Sequence, residues 1–379
     1  MIHAARKSIS SVAPLLKDSQ FGYPTTFFGV MDLVFMLSYA IGMIFTTVLG
    51  DIYNPLIVTL LAAALAAMFQ CILGVLVIFL YTPSYYYFYY FINACIGVSQ
   101  SPVWPALIKV MSDYLGVNHS GVLFGIWVTS SPVGNIVGAN LASLMLILFG
   151  SSSKAVIPGT FIAAAILLVL TSTVTYCAVS PQPASVDSPA ASHEKERSES
   201  RLASSGNSCD SSHVEQAGTF TPSDEGKINF WRAWFIPGVI VYAIVTACVK
   251  GVAYALFFWL PLYLYEHASI APMHANVMDT VYHVGGVIGS LACGWLSDRM
   301  VDVPGSGRAP ALLLFQLLAL ITLSLMHAHQ PTVAYLYVML SLAGIFVGGA
   351  HAILCSAICT DLARQDALRG NRAALYNKV

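Results

Sequence analysis

The chain has 379 residues, 57% apolar and only 9% charged, against roughly 25% charged in soluble domains, so no soluble fold could hide its apolar surface. A net charge of −1 leaves no basic footprint for nucleic acid. Eight cysteines lie scattered without a CxxC pair, all but Cys209 inside apolar runs, and read as reduced core residues rather than a disulfide framework or metal site. The composition is that of an all-α membrane protein embedded in the lipid bilayer.

The first residues, MIHAARKSISSVAPLL, are moderately apolar but too short to cross roughly 30 Å of hydrocarbon alone, which takes about 20 helical residues. Runs long enough to cross follow near 27–49, 56–81, 85–111, 121–149, 156–179, 236–265, 275–297, 309–327 and 332–360, giving nine complete spans after a partial first helix. The aromatic run Tyr85 to Phe91 is expected to form an interfacial belt. Between the fifth and sixth spans, residues 180–229 are rich in Pro, Ser, Glu, Lys and Arg and lose all apolar period, as a disordered linker does. The chain therefore divides into an N-terminal bundle (1–179), the linker (180–229) and a C-terminal bundle (230–379).

The linker side carries eleven Lys and Arg in its connections, among them Lys195, Arg201, Arg299, Arg308 and Arg369, against only Lys17 and Lys154 opposite. By the positive-inside rule the linker is cytosolic. The two sets of spans also echo one another. Gly42 and Asp51 match Gly289 and Asp298, and Gly97 and Asp113 match Gly344 and Asp361, at offsets of 247, 247, 247 and 248 residues. Parallel repeats of this kind are the plan of major facilitator transporters.

Matching spans end in VLGDIYN, with Asp51, and GWLSDRM, with Gly294, Asp298 and Arg299. The second fits the facilitator loop pattern GxxxD[RK], while the first keeps only Gly-Asp. An acid at such a turn can cap a neighbouring helix or pair with an Arg to hold one gating state; an ordinary polar turn is the plainer reading. Glycines such as Gly134 and Gly138, Gly285 and Gly289, and Gly344 and Gly348 recur on helix faces and are expected to let helices pack closely.

Charge at membrane depth is the sharper signal, because placing it there costs roughly 2.5–3.5 kcal/mol even on the lenient insertion scale. Lys250 lies mid-span, and should face a cavity or partner unless it snorkels to an interface. Arg6 and Lys7 in the partial first helix are either cavity-facing cations or a basic flank or presequence. Asp32, His283 and His351 are further polar residues in apolar spans. No nucleophile–base–orienter set or clustered metal ligands shows convincing spacing, so no enzymatic activity, metal or cofactor is expected.

HAARKSISSV (His3 to Val12), YAIGM (Tyr39 to Met43) and FGIWVTSSPVGNIVGANLAS (Phe124 to Ser143) resemble the organophosphate:phosphate antiporter family. FFWLPLYL (Phe257 to Leu264) and DLARQDALRGNRAAL (Asp361 to Leu375) resemble its sugar-phosphate exchanger branch, solute carrier family 37. The resemblance covers nearly the whole chain. It implies a twelve-helix major facilitator fold of two six-helix halves, exchanging a phosphorylated sugar or glycerol phosphate for inorganic phosphate by alternating access, in the endoplasmic reticulum membrane.

The resemblance also carries site roles. It places the phosphate-gripping Arg of the first helix on Arg6, with Lys7 beside it, and the second basic residue on Lys250 of the seventh. A guanidinium offers paired donors to phosphate oxygens, and a dry cavity strengthens each bond. Three departures stand out: Val103 occupies a Gly position, His283 replaces an acid before Val284-Gly285-Gly286, and twelve spans are implied where nine and a half occur. A fragment truncated at both ends is thus expected. The reading from a different class is a non-transporting scaffold or regulator that docks partners through the Ser-rich linker; an inactive fragment and a membrane phosphatase are the remaining ones.

Overall fold

The computed structural model describes residues 1–17, 21–47, 49–80, 82–115, 126–150, 154–179, 238–301, 308–328 and 332–354. The linker at 180–229, the tail after Asp361 and most of the Phe124 to Ser143 block's first turn lie wholly or partly outside them. The elements are helices: α1 (Ile2–Lys17), α2 (Thr25–Thr46), α3 (Pro55–Leu76), α4 (Tyr86–Gln100), α5 (Val103–Leu115), α6 (Ser130–Phe149), α7 (Val156–Ala178), α8 (Val239–His267), α9 (Pro272–Val301), α10 (Ala309–Ala328) and α11 (Val333–Ile353). A single turn, Leu49–Ile52, joins α2 to α3.

Local chemistry sets several ends. Asn54 accepts from the N–H of Leu56 with Pro55 in the first turn of α3, satisfying a donor at the point where proline costs none. Thr332 does the same for Tyr335 at α11. Gly150 ends α6 with φ +78°, a conformation that a side chain resists.

Seven described helices are long and apolar enough to cross a membrane. The expected runs at 85–111 and 275–297 are not among them. The first divides between α4 and α5 at Ser101-Pro102, and the second forms the 30-residue α9, whose Asp279, Asp298 and Arg299 dilute its apolar character.

With α4 and α5 counted as the two pieces of one crossing, successive crossings alternate in direction, so the end of α7 and the start of α8 mark a linker side and the ends of α1 and α8 a far side. On the outer faces Leu33, Ile44, Leu61, Ile166 and Leu320 are exposed, as lipid-facing side chains are. Inside, small residues govern approach. A Cβ at Gly138 would come 2.7 Å from the Ala4 carbonyl oxygen, and one at Gly289 would overlap the Ile345 carbonyl, so α6 meets α1, and α9 meets α11, backbone to backbone. Of the aromatic run, Tyr87 and Phe91 face outward, but Tyr89 turns inward and donates to the Leu76 and Leu80 carbonyls.

The two halves touch on the far side. Lys17 pairs with Glu266, the Trp259 ring lies against Gly29, and Phe35 meets Phe258 with ring centroids 6.3 Å apart. Towards the linker side the halves diverge around a cavity of about 460 Å³.

Candidate solute-binding site

The cavity is lined by the linker-side portions of both halves. His3, Arg6, Gln100, Asn135, Lys250, His283 and His351 are among its nitrogen-bearing side chains, and no Asp or Glu lines it among the described residues. Such a wall favours an anion. About 460 Å³ is the size of a small-ligand pocket.

Arg6 projects from the first turns of α1, which Gly134 and Gly138 allow to seat directly on α6. Its Nε donates to Gln100 Oε1 at 2.6 Å, and its guanidinium carbon lies 4.3 Å from the Tyr39 ring centroid and 5.4 Å from that of Phe35. The amide and the two rings fix the plane of the guanidinium. It forms no ion pair with a carboxylate among the described residues, although it is only 7% exposed. A buried cation without a counter-charge is costly, and a bound anion would supply one.

Lys7 departs from the expectation that it stands beside Arg6 at the solute. Consecutive helical residues point about 100° apart, and Lys7 turns from the cavity into the boundary between the halves. Its side chain is wholly buried. Nζ lies 2.8 Å from Asp279 Oδ1 on α9 and donates to the Phe257 carbonyl on α8 at 2.5 Å. The neighbouring turn continues the seam, with Ser10 Oγ bonded to the Phe258 carbonyl at 2.7 Å and Asn276 Nδ2 donating to the Ser11 carbonyl at 3.3 Å.

Lys250 enters the same cavity as Arg6 from the opposite half, on α8, partly buried and within electrostatic reach of His3. His3 lies 3.0 Å from Ser131 Oγ, and His283 lies 3.4 Å from Asn135 Nδ2 and 3.7 Å from Asp279 Oδ2. The cavity thus takes a cation from each half. Residues in these positions can hold an anionic solute between the two halves.

Residues 1–377 match the Major Facilitator Superfamily. Sugar phosphate exchanger 3 of Gallus gallus is 31% identical over 362 residues, 93% of this chain and 69% of that protein. The chain belongs to the sugar-phosphate exchanger branch of the major facilitator superfamily. Sugar phosphate exchanger 3 of Homo sapiens is 30% identical over 357 residues, with 93% and 69% covered. A glucose-6-phosphate exchanger of Danio rerio is 27% identical over 352 residues, covering 92% of this chain and 68% of that protein. The crystal structure of the nucleoside transporter NupG, 12% identical, superposes with a TM-score of 0.57 over 99% of this chain and 82% of its own, a likeness of fold alone. The superfamily consists of membrane transporters, not enzymes, so the cavity belongs to a multi-pass membrane transporter.

In this superfamily chain the loop residues sit apart from the cavity. Asp298 Oδ1 accepts from Arg308 Nη1 at 2.5 Å, joining the end of α9 to the start of α10, while Arg299 lies 4.6 Å from the Trp295 ring centroid. Nothing lies within 4 Å of where a Cβ on Gly294 would be. Asp51 falls in the Leu49–Ile52 turn, and its side chain is outside the description.

Sequence reasoning singled out Arg6, Lys250, His283 and His351, and missed Asp279. The signal was present: a carboxylate inside a span, four residues before His283 and so on the same helix face. Its partner, 272 positions away in sequence, was not legible.

Proposed function

We propose that this chain exchanges a phosphorylated sugar or glycerol phosphate for inorganic phosphate by alternating access. Arg6 and Lys250 clamp the phosphoryl group from opposite halves. The observation that carries the reading is the cavity between the halves, which receives both cations and, among the described residues, is lined by no carboxylate. The names of the relatives supply the solute class. Arg6 presents a planar donor set held by Gln100 and Tyr39, and phosphate oxygens match its fork. Lys250 adds a point charge, and Asn135, Ser131 and Thr171 give neutral hydrogen-bonding groups for the remainder of the solute.

In the geometry described the far side is closed and the linker side open, so the site is presented to the cytosol if the linker is cytosolic. We infer that it works in the endoplasmic reticulum membrane, which co-localisation of the tagged chain with a marker of that membrane would test. The transport reading is tested by competition. Glucose 6-phosphate and glycerol 3-phosphate should each inhibit phosphate–phosphate exchange by the reconstituted chain, while unphosphorylated glucose should not. Equal inhibition by glucose would contradict phosphoryl recognition.

A further inference from the structure

Trp104 in the first turn of α5 and Trp127 just before α6 lie with their ring centroids 4.5 Å apart and their planes 24° from parallel. Both residues line the cavity between the halves, and both are half-buried, so the pair is not sealed inside its own half. Stacking covers one face of each indole and leaves the rest of the pair to meet whatever fills the cavity. The rings that support Arg6 are those of Tyr39 and Phe35, so the phosphoryl clamp does not account for the two indoles.

The helices fix where the pair stands relative to Arg6. Gln100, which accepts from Arg6 Nε, precedes Trp104 by four residues in a crossing that runs towards the linker side. Ser131, which bonds His3, follows Trp127 by four residues in a crossing that runs the other way. Four helical residues rise about 6 Å. Both indoles are therefore displaced towards the open end of the cavity from the level at which Arg6 is held. A solute with its phosphoryl group on Arg6 and its organic part towards that opening extends alongside the two rings. The C–H face of a pyranose is flat and apolar and suits an aromatic wall, whereas glycerol has no such face.

We propose that Trp104 and Trp127 form a subsite for the sugar ring and set the preference of the cavity for a hexose phosphate over glycerol phosphate. The inference rests on the phosphoryl clamp of the proposed function and adds the groups that select among phosphate esters.

The test is competition against phosphate–phosphate exchange by the reconstituted full chain, with glucose 6-phosphate and glycerol 3-phosphate as competitors. For the parent, glucose 6-phosphate should reach half-inhibition at a concentration about three- to tenfold below that of glycerol 3-phosphate, the worth of one ring stack. Trp104→Leu and Trp127→Leu should each bring the two esters to within about twofold of one another, and Trp127→Phe should keep most of the preference. A parent that does not distinguish the esters, or folded Leu variants that keep the parent's ratio, would overturn the subsite; lowered thermal stability with that ratio kept would assign the pair to packing. Binding is read without exchange from the tryptophan emission of the purified protein. Glucose 6-phosphate should shift it, and the shift should be lost in Trp104→Phe/Trp127→Phe. No shift in the parent would overturn the subsite even where the Leu variants fail to fold. A shift without inhibition of exchange would support the subsite and contradict the proposed exchange.

Discussion

Lys7 of the first half and Asp279 of the second form an ion pair of 2.8 Å in which both side chains are wholly buried. Removing one member leaves the other charged in a dry interior, whereas replacing both with apolar groups removes the penalty. Lys7→Met or Asp279→Leu alone should therefore destabilise the purified protein by roughly 3–5 kcal/mol, and Lys7→Met/Asp279→Leu together should recover most of that loss. Thermal unfolding in detergent measures this; single variants as stable as the parent would mean that the pair contributes nothing.

Arg6 is held by Gln100 and stacked on Tyr39, so its geometry matters as well as its charge. Arg6→Lys keeps the charge and loses the planar fork, and phosphate affinity should fall roughly 10- to 100-fold, the worth of one or two charge-assisted bonds. Gln100→Ala frees the guanidinium to reorient and should weaken phosphate less than Arg6→Lys. The apparent KM of phosphate exchange for the three proteins checks the order.

Gly289 sits where a side chain would collide with the Ile345 carbonyl of α11. Gly289→Leu should force α9 and α11 apart at a cost of roughly 1–3 kcal/mol or more, lowering yield and thermal stability, because backbone cannot yield as a flexible side chain does. Gly251, with nothing within 4 Å of its Cβ position, should accept Ala without loss.

Lys17 and Glu266 pair across the far side, each partly exposed. Surface pairs are individually weak, about 0–1 kcal/mol, so Glu266→Gln should leave stability nearly unchanged. It should instead bias the halves towards far-side opening, read as increased labelling by a membrane-impermeant thiol reagent of a cysteine placed at Gly29. Unchanged labelling would show that the pair plays no part in closure.

Much of the fold was readable because lipid imposes a simple rule: about 20 apolar residues per crossing, with glycine where helices touch. The runs that became α2, α3, α7, α8, α10 and α11 stand out on that ground alone. The rule blurs for 275–297, where Asp279 reduces the apolar signal for the very reason that it serves the interface. Arg6 and Lys250 were legible as charges too costly to place without purpose. Lys7 shows the limit of that reading. Adjacent cations look like one site in sequence, but a helix turns them apart, and Lys7 joins the halves while Arg6 faces the cavity. Asp279 gains meaning only from Lys7, brought near by tertiary packing that no local pattern encodes.

The most direct test of phosphate exchange is uptake of radiolabelled phosphate into proteoliposomes preloaded with phosphate, compared with empty ones, for the parent chain and Arg6→Ala. The account predicts uptake that depends on preloading and is lost in Arg6→Ala at matched protein. Uptake by Arg6→Ala equal to the parent would contradict the clamp, and no uptake by a folded parent would contradict phosphate exchange by this chain.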